Sequence, residues 1–458
     1  MEGLDTGNTA WMLASTALVL FMTPGLALFY GGMVRSKSVL NMMMMSLSSM
    51  GVVGVLWVLY GYSMAFGNDV GGGLLGNPFE AWGLKGLFVG SYDAADAPSY
   101  MLSADIPALV FVAFQATFAI ITVALISGAV ADRMKFGAWL LFAGLWATIV
   151  YFPVAHWVFA FDGDTVVGGW IANQLAAIDF AGGTAVHINA GIAALALSIV
   201  VGKRRGWPRE PMRPHNLTLV MLGAGILWFG WFGFNAGSAL GANGTAAFAM
   251  INTIVATCAA MLGWLLTERI RDGKATSLGA ASGIVAGLVA ITPSCASISP
   301  MGAILLGAIA GVLCALAVGL KFRFGYDDSL DVVGVHLVGG ILGTVLIGFL
   351  ADPGSPAGVA GLFYGGGVDQ LWRQVVGALA VLLYSGILTF VIALIVKAIF
   401  GGSLRVSDED EATGIDEGEH AETAYDFSSH RGLAGTAGTP RPDAATAGAQ
   451  SVVAGKEG

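Results

Sequence analysis

The feature that most restricts this chain is its recurring runs of about 20 apolar residues, the length that crosses a bilayer core. Eleven can be read, at 10–33, 39–66, 106–131, 136–161, 184–202, 216–241, 245–267, 276–293, 302–320, 332–350 and 374–397. Each is predicted to be helical, because backbone exposed to lipid must satisfy its own hydrogen bonds. Charge scarcity agrees: 11% of residues are charged and 56% hydrophobic, whereas a soluble domain carries about 25% charged residues. That composition excludes disorder for most of the chain. The net charge of -9 is concentrated in residues 401–458, which hold 11 acidic and 4 basic residues. The body is nearly neutral, and it has no basic patch for nucleic acid to bind.

Lys and Arg set the orientation, because they gather on the cytoplasmic side. With the N-terminus outside, sixteen fall in inner loops or beside the last span, from Arg35 and Lys37 through Lys203, Arg204 and Arg205 to Arg405. Outer loops hold Lys85 and Arg373. The expectation is a multi-pass protein of the cell (inner or plasma) membrane, N-terminus outside and acidic tail cytoplasmic. Residues 1–400 form the transmembrane domain and 401–458 the tail. The first basic residue is Arg35, which argues against a cleaved signal peptide. The long, turn-rich 67–105 loop is expected to cap the outer mouth. Cys258, Cys295 and Cys314 give no disulfide framework and read as buried small apolar residues.

The fifth and tenth spans echo each other. One begins Asp179-Phe-Ala-Gly-Gly-Thr-Ala-Val-His187, the other Asp328-Ser-Leu-Asp331-Val-Val-Gly-Val-His336, with Asp preceding Val-His by one interval in both. Five spans apart, the copies enter the membrane from opposite sides. Inverted repeats of this kind place a substrate path at their interface. Ionisable residues inside spans are costly and usually functional; here they are Asp179, His187, His336 and, near the outer end of span 4, His156. The paired histidines read as functional. Asp179, at a helix start, reads first as a cap for free backbone N–H groups. Phe114, Phe118, Trp228, Trp231 and Phe234 form an aromatic cluster that helical spacing alone assigns to packing.

Gly230-Trp231-Phe232-Gly233-Phe234-Asn235-Ala236-Gly237-Ser238, together with Asp179…His187 and Asp331…His336, resembles the Amt branch of the Amt/Rh family of ammonium transporters. Phe-Tyr-Gly-Gly at 29–32, Pro214-His215-Asn216-Leu217 and Thr292-Pro293-Ser294-Cys295 extend the resemblance, in order, over about 420 residues. It implies an all-α polytopic membrane protein of eleven helices, two inverted five-helix repeats plus one, and a homotrimer with a pore in each subunit. It implies that Phe118 and Phe234 form a stacked gate and that Ser238, Phe118, Phe159 and Asp179 serve ammonium recruitment, Asp179 from beneath without contact. His187, His336 and Trp231 then line the pore; imidazole chemistry adds the expectation that the two histidines share a hydrogen bond and either orient ammonia or relay a proton. One departure stands out: Phe159 occupies a position where the family commonly has Trp, and phenyl binds cations more weakly than indole.

These residue types suit the task. An isolated charge in an apolar pore costs on the order of tens of kcal/mol, whereas a buried amine loses its proton after a shift of about 3–5 units, or roughly 4–7 kcal/mol. Ammonium can shed a proton and cross as ammonia; potassium cannot. Aromatic faces and a hydroxyl hold the cation, and imidazole both donates and accepts.

In the tail, Gly402-Ser-Leu-Arg-Val-Ser407, Gly414-Ile-Asp416 and His420…Tyr425 resemble an ordered cytoplasmic segment that supports docking of a PII-type nitrogen-signalling protein; 427–458 reads as disordered. An ammonium sensor with little transport and an Rh-type ammonia gas channel are the alternatives. The tail is too short for an output domain, and Ser238 favours the Amt branch. Intramembrane hydrolysis at Ser282 would need a Ser–His pair at one depth. No enzyme activity, cofactor or metal site is expected, since the histidines lack zinc-ligand spacing.

Overall fold

The computed structural model describes residues 4–87, 102–163 and 166–425. The expectation for 427–458 lies outside them, as does the middle of the 67–105 loop. All eleven predicted runs are helices. Spans 1 to 7 are Thr6–Met33, Val39–Phe66, Ala108–Val130, Phe136–Phe159, Gly183–Val201, Leu217–Ala239 and Gly244–Asp272. Spans 8 to 11 are Ser277–Ile291, Pro300–Phe324, Val333–Leu350 and Asp369–Ile399. The chain is an all-helical polytopic membrane protein, two five-span halves and an eleventh span. Its described strands are Leu102–Ser103 and Ile106–Pro107, a two-residue antiparallel pair before span 3.

Local chemistry sets many of the helix starts. Side chains of Asp5, Asn216, Asn243, Thr276 and Ser299 each accept a bond from the amide three residues on, opening spans 1, 6, 7, 8 and 9. Span 7 outruns its apolar stretch because Glu268 to Asp272 remain helical as they leave the apolar layer, with Glu268 accepting from Thr276.

Spans 1 and 6 pack along each other, and spans 5 and 10 cross. The crossing needs glycine twice, four residues after each histidine. A Cβ on Gly191 would meet the Leu337 nitrogen at 2.4 Å, and one on Gly340 would meet the His187 Cβ at 3.0 Å. Both histidines lie in π-helical turns, Gly183–Ile188 and Val333–Leu337, a geometry that recurs at functional sites.

The basic loops share one face, as the alternation of spans requires. Residues 401–425 of the tail join them there: Lys135 N donates to Leu404 O (2.9 Å) and Val406 N to Arg133 O (3.1 Å). Arg405 pairs with Glu411, and Glu411 accepts from Arg205 N. Asp416 accepts from Leu40 and Asn41 amides, and His215 bonds Tyr425.

Candidate transport site

On the face opposite the tail, a cavity of about 290 Å³ opens between spans 2, 3, 4 and 6. Its lining includes Gln115, Phe118, Phe159, Phe180 and Ser238. Helical spacing explains the set: Gln115 and Phe118 lie three apart on span 3, and Ser238 lies four beyond Phe234 at the end of span 6. Ser238 Oγ donates to Phe234 O at 2.7 Å. The hydroxyl proton is thereby spent inside the helix, and its lone pairs remain to accept from a ligand.

Beneath the cavity the rings of Phe118 and Phe234 stack 4.1 Å apart at 19°. Phe114 braces Phe118 edge-on at 4.9 Å, and Phe159 stands edge-on to it from the cavity side at 6.4 Å. Below the stack, Trp231 lies parallel to His187 at 5.5 Å. The indole is held by a relay in which Nε1 donates to Thr292 Oγ1 (2.8 Å) and Thr292 donates to Leu288 O (2.7 Å). The His187 and His336 Nδ1 atoms are 3.3 Å apart and both rings are buried. One nitrogen must therefore donate and the other accept. Cavity, phenyl stack and histidine pair form one column.

Asp179 does not line the cavity. Its carboxylate accepts from Gly182 N (2.8 Å), Gly183 N (2.6 Å), Thr184 N (2.7 Å), Ala185 N (3.2 Å) and the Thr184 hydroxyl. It caps the helix that carries His187, as its position at a helix start suggested. In the other repeat the matching bond comes from Asp328, whose Oδ2 accepts from Val333 N at 2.7 Å. The shorter Asp331…His336 motif points to the wrong carboxylate for this role. Asp331 pairs with Lys321 at 2.7 Å and takes a left-handed backbone with φ 63°.

His156 stands apart from the column. Its Nδ1 meets Ala65 O at 3.0 Å and its Nε2 meets Asp69 Oδ1 at 3.3 Å, so it latches the loop after span 2 onto span 4. Burial pushes the Asp69 carboxyl up, but amides from Gly71 to Leu75 outweigh it and hold it below its ordinary value. Trp157 faces away from the cavity, donating to Leu74 O at 2.8 Å and packing on Trp170 and Tyr384. It does not replace the indole absent at 159. Trp228 makes no ring contact with the column among the described residues. Cys295 and Cys314 are buried and Cys258 half-buried. The sequence assigns no role to Gln115, or to Thr292 beyond its place in the 292–295 motif; polar residues in apolar runs were the available signal.

A family model described as the Ammonium Transporter Family matches residues 10–425. An ammonium transporter of Mycobacterium tuberculosis is 70% identical over 436 residues, covering 92% of this chain and 91% of its own length. One from Aquifex aeolicus is 53% identical, covering 93% and 94%. The crystal structure of Saccharomyces cerevisiae Mep2 matches at TM-score 0.80 and 32% identity over 89% of each chain. With that match across nearly every span, the chain belongs to the ammonium transporter family.

Proposed function

We propose that this protein carries ammonium across the cell membrane by holding the cation in the Ser238 cavity, removing its proton and passing ammonia along the histidine column. The N-terminus is outside, and the tail is cytoplasmic. The observation that carries the reading is the closed Phe118–Phe234 stack between an acceptor hydroxyl and a buried histidine pair. A hydrated cation meets apolar rings there, and the cost of burying its charge favours the neutral form. Phe118, Phe159 and Ser238 recruit; Phe118 and Phe234 gate; His187, His336 and Trp231 line the path, the histidines relaying the proton. Asp179 holds the recruitment side in shape as a cap.

The assembly is a homotrimer. Residues 1–400 are the transport domain, and residues 401–425 serve as the regulatory surface to which a PII-type protein docks. Their support is the tail's bonds to the loops before spans 2, 4 and 6.

The test is ammonium-evoked current in proteoliposomes, with methylammonium uptake alongside. A His187→Ala, His336→Ala double variant is expected to lose discrimination against potassium and most of the ammonium current. Undiminished, ammonium-selective current would remove the relay role. For the tail, a pull-down in which the full chain and residues 1–400 bind the signalling protein equally would reject docking there.

A further inference from the structure

Span 11 has no counterpart in the five-span repeat, so its contribution cannot be inferred by symmetry. Its residue Gln374 is 0% exposed, where an uncharged amide needs partners. Gln374 Oε1 accepts from Ile178 N at 2.6 Å, and Nε2 donates to Ile178 O at 2.7 Å. The same Nε2 donates to Thr344 O in span 10 at 3.1 Å, and Gln370 steadies Oε1 at 2.9 Å. A side-chain amide that meets the N–H and C=O of one residue fixes it at two points.

Ile178 sits in the non-helical stretch before span 5. Backbone without helical bonds at membrane depth must be satisfied by protein. Phe180 N is met by Pro293 O at 3.1 Å. Asp179 therefore lies between two anchored neighbours. Its carboxylate in turn sets the first turn of the helix that carries His187. Through Thr344 the same amide grips the helix that carries His336.

We propose that Gln374 is a positioning residue of the transport site: by clamping the Ile178 peptide and the Thr344 carbonyl together, it sets the Asp179 cap and the register of the two histidine-bearing helices. The inference rests on the transport reading. Its effect is on recruitment and on the histidine pair, not on holding span 11 in place. Ser385 supplies the contrast, because its Oγ bonds Asn189 O at 3.0 Å from the same span without touching the Asp179 stretch.

The experiment measures methylammonium uptake kinetics in proteoliposomes for the wild type, Gln374→Leu, Gln374→Glu and Ser385→Ala. Gln374→Leu leaves the Ile178 peptide unpaired and is expected to raise apparent KM about tenfold through the Asp179 cap, with a smaller fall in maximal rate through the histidine pair. Ser385→Ala is expected to move neither. In Gln374→Glu the new carboxyl faces two carbonyl oxygens and works only when protonated. Its KM is expected to be near the wild-type value at about pH 5.5 and to rise towards about pH 8, beyond any drift in the wild type. Wild-type KM in Gln374→Leu overturns the proposal, as does a Gln374→Leu profile matching Ser385→Ala. Should Gln374→Leu fail to fold, a Gln374→Glu KM that tracks the wild type across that pH range overturns it. The two failures separate: a wild type that takes up nothing overturns the transport reading itself, while a competent wild type with indifferent variants overturns only this one.

Discussion

The two breaks in the helical bundle begin alike and are closed by different chemistry. At the cavity-side break, before span 5, Asp179 gathers four amides and a hydroxyl, and Gln374 pairs the adjacent peptide. Every partner there is neutral apart from the carboxylate itself. At the tail-side break, before span 10, Asp328 accepts from Val333 N at 2.7 Å and keeps a buried oxygen without a partner among the described residues. Ions do the remaining work. Arg204 holds Asp327 through Nη2 at 2.8 Å and Asp132 through Nη1 at 3.3 Å, while Arg133 donates to Asp327 O and Ser329 Oγ, both at 2.6 Å. Burial opposes these charges, yet Asp327 lies below its ordinary pKa and Arg204 above it, because each has the other. The break beside the phenyl stack is built from fixed dipoles. The one facing the basic loops uses charges those loops already supply.

The largest test of that contrast is Asp179→Ala against Asp328→Ala. The first orphans as many as five buried donors at about 1–3 kcal/mol each before relaxation, so about 5 kcal/mol or more is expected, together with a collapse in the yield of folded protein after detergent extraction. The second removes one amide acceptor and is expected to cost a small fraction of that. Equal losses would break the comparison. Next comes Arg204→Met, which strands Asp327 and is expected to cost about 3–5 kcal/mol in thermal or denaturant unfolding. Adding Asp327→Leu should recover much of the loss, since a buried pair replaced by apolar groups is often neutral. No recovery would mean that the tail-side break depends on more than its charges.

The third test is pH. Burial pushes the Asp328 carboxyl up to about 6, with Lys321 opposing and Asp331 adding to the shift. An acid whose folded pKa exceeds its unfolded value of about 3.9 binds its proton more tightly when folded. Its stabilising contribution is thus full below about pH 4 and is lost as pH rises through about 6. Asp328→Asn should flatten that slope of melting temperature with pH. A slope unchanged by the substitution would assign it to another group.

How much of this was legible follows from where each signal resides. Spans show in sequence because apolar length is local, and the Asp179…His187 and Asp328…His336 echo shows because the interval is conserved within the chain. The choice between Asp328 and Asp331 was not settled by motif. Two aspartates three residues apart differ only in which one reaches the Val333 amide, and that depends on the π-helical turn. Gln374 looks like one polar residue in an apolar run, and nothing local names a partner 196 residues away. Ser238 was recognisable, but its free acceptor face depends on the turn that lets Oγ reach Phe234 O.

The smallest expected effect concerns the tail, which braces the tail-side break and has no contact with the cavity-side one among the described residues. Span 2 starts after Ser38, whose side chain makes no capping bond. The tail supplies the cap instead: Asp416 accepts from Asn41 N at 2.8 Å and Leu40 N at 3.0 Å, and Glu419 does the same for Phe136 N, at 2.9 Å, where span 4 begins. From Val406 N the connection runs to Arg133 O, and through the Arg133 guanidinium to Asp327 and Ser329 in the stretch before span 10. Asp416→Ala removes a cap worth about 1 kcal/mol and leaves that second anchorage in place. Limited proteolysis should cut the tail a few-fold faster in this variant, while Gln374→Leu leaves its cleavage rate unchanged. A tail loosened equally by both would show that the two breaks communicate, and that neutral and ionic closures belong to one device.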